Sequence, residues 1–316
     1  MVFLDDPDHA RLRGLVAQAF SARAVDAMRP RIASIAETLL DGIDTSKPFD
    51  LVAEYATPLP IIVITEMLGV RDADVESFRL WSDQTKLFFD PERTEETNAV
   101  LWSAIANLNA CLADVVAERR RSGDDDLISG LVAAEASGSR LTDTEIVDTC
   151  RALLVARNIT TTDLIGTGLV SLLRHPDQLD AVRQEPRRWP HAIEEMLRHD
   201  APVTAWNRQA LDDRTIDGCR IEAGQTITSM LAAANHDPSI HADPHRFDIA
   251  RDGQRHFSFG GGSHFCLGAS LARLEAQIAM ASLVSRFPRL ALTRDRPERK
   301  TQPGFSGYAA VWLTAA

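Results

Sequence analysis

Within the run FGGGSHFCLGASLAR (residues 259–273), one cysteine, Cys266, stands between a cluster of glycines and an apolar repeat. Gly260, Gly261 and Gly262 permit backbone angles that residues with a Cβ avoid. Gly268, two residues past the cysteine, leaves room for a flat group to press against the backbone. Leu267, Leu271, Leu274 and Ile278 then recur at spacings of four, three and four, which is one face of a helix. A sulfur at the N-terminus of that helix meets unpaired N–H groups and the positive end of the dipole, and both favour thiolate over thiol. A thiolate in such a place suits a haem iron, where it pushes electron density onto the metal and favours cleavage of an O–O bond.

Rival chemistries fit the segment poorly. A dinucleotide fingerprint starting at Gly260 would need a glycine where Phe265 stands. A structural zinc site needs clustered ligands, but Cys111, Cys150 and Cys219 are scattered singly and no CxxC occurs. A plain buried cysteine leaves the glycines, the histidine and the helix start around it without a reason.

The segment resembles the haem-ligand loop of the cytochrome P450 family in its soluble bacterial form. The resemblance lies in Phe259 seven residues before the cysteine, Gly260 and Gly262, His264 two before it, and Gly268 two after it. It implies haem b as cofactor, with Cys266 as the axial iron ligand and Phe259 and Gly268 against the macrocycle. It also implies a cradle for the propionates. His9 and Arg13, one helical turn apart in HARLR, would reach one carboxylate, which arginine can grip bidentately. Arg208 and His256 match the positions that hold the other, with His264 assisting. Glu195 and Arg198, three apart in HAIEEMLRHD, match the family's E-x-x-R, and Arg246 of the PHRF stretch is expected to close that charge network.

Distal chemistry falls in ALLVARNITTTDLIG. By resemblance Ala156 and Thr160, four apart on one helix face, look towards the bound oxygen, where Thr160 would hydrogen-bond it and help deliver a proton. Two residues depart from the family's pattern. Arg157 stands where a glycine lets the helix open, and Ile159 stands where an acid relays protons. Ile159→Asp is therefore expected to restore the relay, with Asp163, nearly one turn beyond Thr160, a weaker native source. Threonines in a helix can also simply bond carbonyls one turn earlier. The substrate pocket implied by the resemblance takes in Val155, Ala156, Ile159, Val203, Thr204 and Ala205.

These residues need long helices to hold them. Thr142 followed by Glu145 reads as a capping box, and the helix it opens runs through Leu154, Ile165 and Leu173 to the His175-Pro176 stop. Some thirty residues at 1.5 Å each make a rod roughly 45 Å long. Further helical stretches fall near residues 22–42, 93–121, 187–199 and 267–286. Between Ala201 and Phe257 the pattern breaks into turns at Asp217-Gly218 and Asp237-Pro238, with Ile216, Ile221 and Ile227 as strand material. The fold class is mainly α with a small β portion. One haem-thiolate domain over residues 1–316 is expected. The resemblance implies the cytochrome P450 fold without its N-terminal segment, so that the N-terminal β-sheet and substrate lid are lacking.

Composition sets the limits. With 316 residues, 45% of them hydrophobic, the chain can bury a large core. Its 34 Lys+Arg against 45 Asp+Glu give a net charge of −11, which argues against nucleic acid as a partner. Unpaired cysteines, no signal peptide and no run of eighteen apolar residues point to a cytoplasmic protein away from membranes. The resemblance implies a monooxygenase that inserts one oxygen atom from dioxygen into a small apolar or amphipathic substrate. Electrons would come from NAD(P)H through a reductase and an iron–sulfur ferredoxin, docking as an acidic partner near Arg11, Arg13, Arg23, Arg29 and Arg31. The alternatives are a haem-thiolate enzyme that uses peroxide or rearranges its substrate, which Ile159 favours, and a non-catalytic haem-binding remnant, which Arg157 favours.

Overall fold

The computed structural model describes residues 1–316 apart from 2–3, 18–19, 71–74, 125, 137–138, 254 and 316. Three helices, α1 (Asp8–Ala17), α2 (Ala22–Ala27) and α3 (Arg29–Asp41), lead to the short strand β1 (Phe49–Asp50). A π-helical turn joins it to α4 (Pro58–Met67), followed by α5 (Val75–Gln84), a 3-10 turn (Thr85–Phe89) and α6 (Glu95–Arg121). Next come α7 (Leu127–Ala133) and the small hairpin of β2 (Glu135–Ala136) and β3 (Ser139–Arg140). The central rod α8 (Asp143–Arg174) precedes α9 (Pro176–Gln184) and α10 (Trp189–His199). Strands β4 (Trp206–Gln209), β5 (Arg214–Ile216), β6 (Cys219–Ile221) and β7 (Thr226–Ser229) follow, then the short α11 (Leu231–Ala234). The chain closes with α12 (Ala269–Arg286), β8 (Ala291–Leu292) and β9 (Trp312–Thr314).

The capping box forms as expected at the start of α8. Thr142 Oγ1 accepts from the Glu145 N–H at 3.2 Å, and the Glu145 carboxylate accepts from the Thr142 N–H at 2.8 Å. At 32 residues the helix is roughly 48 Å long. It packs against α4, α6, α10 and α12, so its apolar residues, from Ile146 through Leu154, Ile165 and Leu172, are buried on several sides rather than along one stripe. The helix ends at His175, as the following proline requires.

Every β element is small and antiparallel. β9 sits between β1 and β8, β4 pairs with β7, and β5 pairs with β6. The β5–β6 hairpin turns through Asp217 (φ 46°) and Gly218 (φ 80°), the left-handed pair that a two-residue turn needs. Helix α6 holds a window with mean hydropathy 1.5, enough by length and composition to cross a membrane. Its buried residues Leu101, Ala104, Leu108, Leu112 and Val115 recur every three or four positions and face α8, the pattern of a core helix.

Candidate functional site

The cysteine loop is shaped by its own backbone. Gly260 (φ 71°) and Gly262 (φ 65°) take the left-handed conformation, and the Cys266 N–H donates to the Phe259 carbonyl at 2.9 Å across the loop. A 3-10 turn (Gly262–His264) precedes the cysteine, and Gly268 is the N-cap of α12. Phe259 is fixed by the Arg273 guanidinium, 4.5 Å from its ring centroid. Solvent reaches Cys266, yet the protein around it is dense enough that desolvation dominates and pushes the thiol up. The Gly268 N–H, Arg13, Arg157 and Arg273 pull the other way without reversing it. The helix terminus alone therefore does not make this thiolate.

Basic side chains gather around the loop. His9 on α1 is buried and stacks on His264, with ring centroids 4.0 Å apart, and its Nε2 has no hydrogen-bond partner. His264 is driven towards its neutral form by desolvation and by His9, Arg208 and Arg13. Arg13 donates to the Phe265 carbonyl at 2.6 Å. Arg208 on β4 is exposed, with its guanidinium 5.6 Å from the Trp206 ring centroid. His256 behaves otherwise. Its Nε2 lies 3.1 Å from Glu194 Oε2 and its Nδ1 accepts from the Ser258 N–H at 3.2 Å. Both nitrogens are engaged within the protein, as the Arg13 guanidinium is by the Phe265 carbonyl. Desolvation works against ionised Glu194, but Arg273 and His256 outweigh it and hold the carboxyl at about 2.

Beneath the loop lies the ion pair of α10. Glu195 and Arg198 are both fully buried, joined by two bonds of 2.8 Å. Arg198 also donates to the carbonyls of Asn235 (3.0 Å), Pro244 (2.8 Å) and Arg246 (3.2 Å), so its fork is spent in full. The third charge is not Arg246, whose exposed side chain reaches only Asp248 at 3.6 Å. It is Arg251, with Nε 3.3 Å from Glu195 Oε2. Arg246 contributes its carbonyl, which turns its own side chain outward. The missed signal was the arginine four residues after Phe247 in FDIAR.

On α8, Ala156 is exposed, and Val155 and Thr160 are half-buried, in the middle of a helix otherwise largely enclosed. Thr160 Oγ1 donates to the Ala156 carbonyl at 3.1 Å, and Thr162 Oγ1 bonds the Asn158 carbonyl at 2.8 Å in the same manner. Ile159 is only 2% exposed, so it does not line the opening as expected. Val203, Thr204 and Ala205 are half-buried, with the Thr204 N–H donating to the Gly304 carbonyl at 2.9 Å. Arg157 does not point into a widened helix. Its guanidinium pairs with Glu275 of α12, which is fully buried. Among the docking arginines, Arg11 pairs with Glu145, Arg29 with Asp26 at 2.9 Å and Arg31 with Glu66 at 2.5 Å, which leaves far less free charge than the sequence promised.

A flat, dianionic iron macrocycle fits what is present. An open-sided sulfur, an unsatisfied buried His9 Nε2 and the Arg13 and Arg208 guanidiniums supply metal ligand and carboxylate partners. A Cβ built on Gly261, Gly262 or Gly268 meets nothing within 4 Å, so the protein itself leaves this side of the loop open.

A family model described as cytochrome P450 matches residues 1–308. The chain is 42% identical over 296 residues to the cytochrome P450 monooxygenase PikC of Streptomyces venezuelae, covering 92% of this chain and 70% of that protein. It is 42% identical over 292 residues to the 6-deoxyerythronolide B hydroxylase of Saccharopolyspora erythraea, covering 92% and 71%. The solved structure of the polyketide-synthase cytochrome P450 PksS of Bacillus subtilis superposes with a TM-score of 0.93 at 36% identity, covering 99% of this chain and 80% of that one.

Proposed function

We propose, because this chain belongs to the cytochrome P450 family of haem-thiolate monooxygenases, that Cys266 is the axial ligand and that the neighbouring residues divide the work of that chemistry. When bound, the haem supplies dioxygen activation, so that one oxygen atom enters an organic substrate and the other leaves as water. The loop 259–268 presents the sulfur, with the Cys266 N–H tied back to Phe259. His9, Arg13 and His264 take one propionate and Arg208 the other. Arg13 gives up its carbonyl contact, and His9 Nε2 gains the partner it lacks. Thr160 holds a hydroxyl at the opening of α8, its proton parked on the Ala156 carbonyl until it is needed. Val155, Ala156, Val203, Thr204 and Ala205 form a mostly apolar wall that orients an apolar or amphipathic substrate and excludes water. A single cytoplasmic domain served by an iron–sulfur ferredoxin and an NAD(P)H-dependent reductase completes the reading.

The observation that carries it is the exposed sulfur of a shaped loop beside a histidine whose buried nitrogen lacks a partner. The reduced protein with carbon monoxide should show the red-shifted Soret band of thiolate ligation. That band should be missing in Cys266→Ala, and its survival there would end the assignment.

A further inference from the structure

Proton supply is the function that the expected residue cannot perform here. Ile159 is aliphatic and enclosed, so it can neither give nor take a proton. Two carboxyls pack close to the exposed stretch of α8, each with one buried oxygen that no protein group satisfies: Glu275 Oε2 and Asp163 Oδ2. They differ in their routes to water. Glu275 is fully buried and its partner Arg157 is 9% exposed. Arginine also stays protonated, so that pair has no means of recharging. Asp163 is 1% exposed, but its Oδ1 is held at 2.6 Å by Lys300, whose side chain is 17% exposed.

Asp163 sits in a built site. A Cβ on Gly307 would lie 2.1 Å from Asp163 Oδ1, so the carboxyl occupies the space where any other residue would carry its side chain. The Lys300 backbone N–H donates to the Gly307 carbonyl at 2.9 Å, which ties together the two strap residues that meet the acid. The neighbouring Gly304 and Ser306 bond Thr204 and Pro202, so this strap backs the segment that forms the pocket wall. Asp163 also follows Thr160 by three residues on one helix, which places their Cβ atoms roughly 5–6 Å apart, within reach through one water.

We infer that Asp163 is the proton donor behind Thr160, recharged from bulk water through Lys300. In one transfer the Asp163 carboxyl passes its proton through a water to the Thr160 hydroxyl oxygen. That hydroxyl releases its own proton from the Ala156 carbonyl towards the opening. The carboxylate then takes a proton from the Lys300 ammonium, which takes one from solvent, and no electron moves in these steps. The charged groups facing Asp163 are Lys300 and Arg299 on the strap, Lys86 on the 3-10 turn after α5 and Asp200 at the end of α10. Burial raises the carboxyl to about 6 although Lys300 and Lys86 act to lower it, so the acid is partly protonated near neutrality.

The inference rests on the monooxygenase reading, and the test separates the two. The haem-loaded protein is supplied with NAD(P)H, a ferredoxin and its reductase, and hydrogen peroxide released per NAD(P)H is measured from pH 5.5 to 8. The infrared band of protonated carboxyl is followed over the same range in the unreduced protein. The parent should show a carboxyl titrating near pH 6, and Asp163→Asn should lose it. Asp163→Asn should also release more peroxide and slow the proton-dependent step on the order of 10²-fold, and Asp163→Glu should recover most of the loss. Thr160→Ala should raise peroxide while leaving the infrared titration in place, a result that a merely structural Asp163 would not pair with rescue by glutamate. If Asp163→Asn couples like the parent at every pH, or no carboxyl titrates near 6, the inference is overturned and the monooxygenase reading stands. A parent that shows no thiolate carbon monoxide band overturns both.

Discussion

The two sides of the cysteine-bearing cleft are built on opposite terms. Below the cysteine loop, Arg198 spends its whole guanidinium on Glu195 and three carbonyls, and Glu195 accepts in turn from the Asp248 N–H and Arg251. Across the cleft, α8 and its neighbours keep unsatisfied atoms in the interior: Arg157 Nε, Asn158 Oδ1, Asp163 Oδ2 and Glu275 Oε2. A satisfied buried network fixes one geometry, whereas an unsatisfied polar atom costs about 1–3 kcal/mol unless a water or ligand meets it. The Glu195–Arg198 network is satisfied in full, while the groups around the middle of α8 keep polar capacity in reserve. Rigidity serves the metal, and the reserve serves moving protons and substrate.

The contrast breaks first if the lower side yields easily. Glu195→Gln leaves Arg198 buried with its charge uncompensated, and urea unfolding should show a loss of ~3–5 kcal/mol together with weakened haem retention. A loss below ~1 kcal/mol would mean the network is ornamental. Ile159→Asp probes the opposite side. Because the position is 2% exposed, the new acid should destabilise by ~3 kcal/mol at neutral pH instead of repairing a relay. Its carboxyl would be raised by burial, so the protein should lose stability as pH rises through the mutant's own titration and regain it as pH falls. Improved coupling in Ile159→Asp with unchanged stability would return the relay to position 159. The smallest effect discriminates most finely. Arg246→Met should stay within ~0.5 kcal/mol of the parent, while Arg251→Met should cost ~1–2 kcal/mol, because only the latter touches Glu195.

Much of this was written in the order of residues. The glycines, His264 and Cys266 announced a ligand loop, and Thr142 with Glu145 and the His175-Pro176 stop bounded α8 to its ends. Short-range signals of that kind survive folding because caps and turns are local. The errors came where a partner lies far along the chain. Nothing near His256 says that Glu194 will engage it, and nothing near Arg246 says that its backbone rather than its side chain is what Arg198 seeks. Arg157 looked like a defect in a helix that ought to open, but Glu275, 118 residues away, turns it into half of an ion pair. Asp163 could be seen, but its importance waited on Lys300 and on a glycine in the strap.

One asparagine ties the entry of the cysteine loop to α10. Asn235 is fully buried, its backbone carbonyl accepts from Arg198, its side-chain oxygen accepts from the Phe257 N–H at 2.7 Å, and its amide nitrogen donates to Ser258 Oγ at 2.9 Å. Ser258 Oγ in turn donates to the Leu197 carbonyl at 2.5 Å. The entry to the loop is thereby stitched to α10 through groups that include neither the sulfur nor any cation of the cradle. The shape of the loop entry therefore rests on contacts that need no cofactor. The amide protons of Phe257 and Cys266, both hydrogen-bonded here, should therefore exchange slowly in the cofactor-free protein, which hydrogen exchange would check.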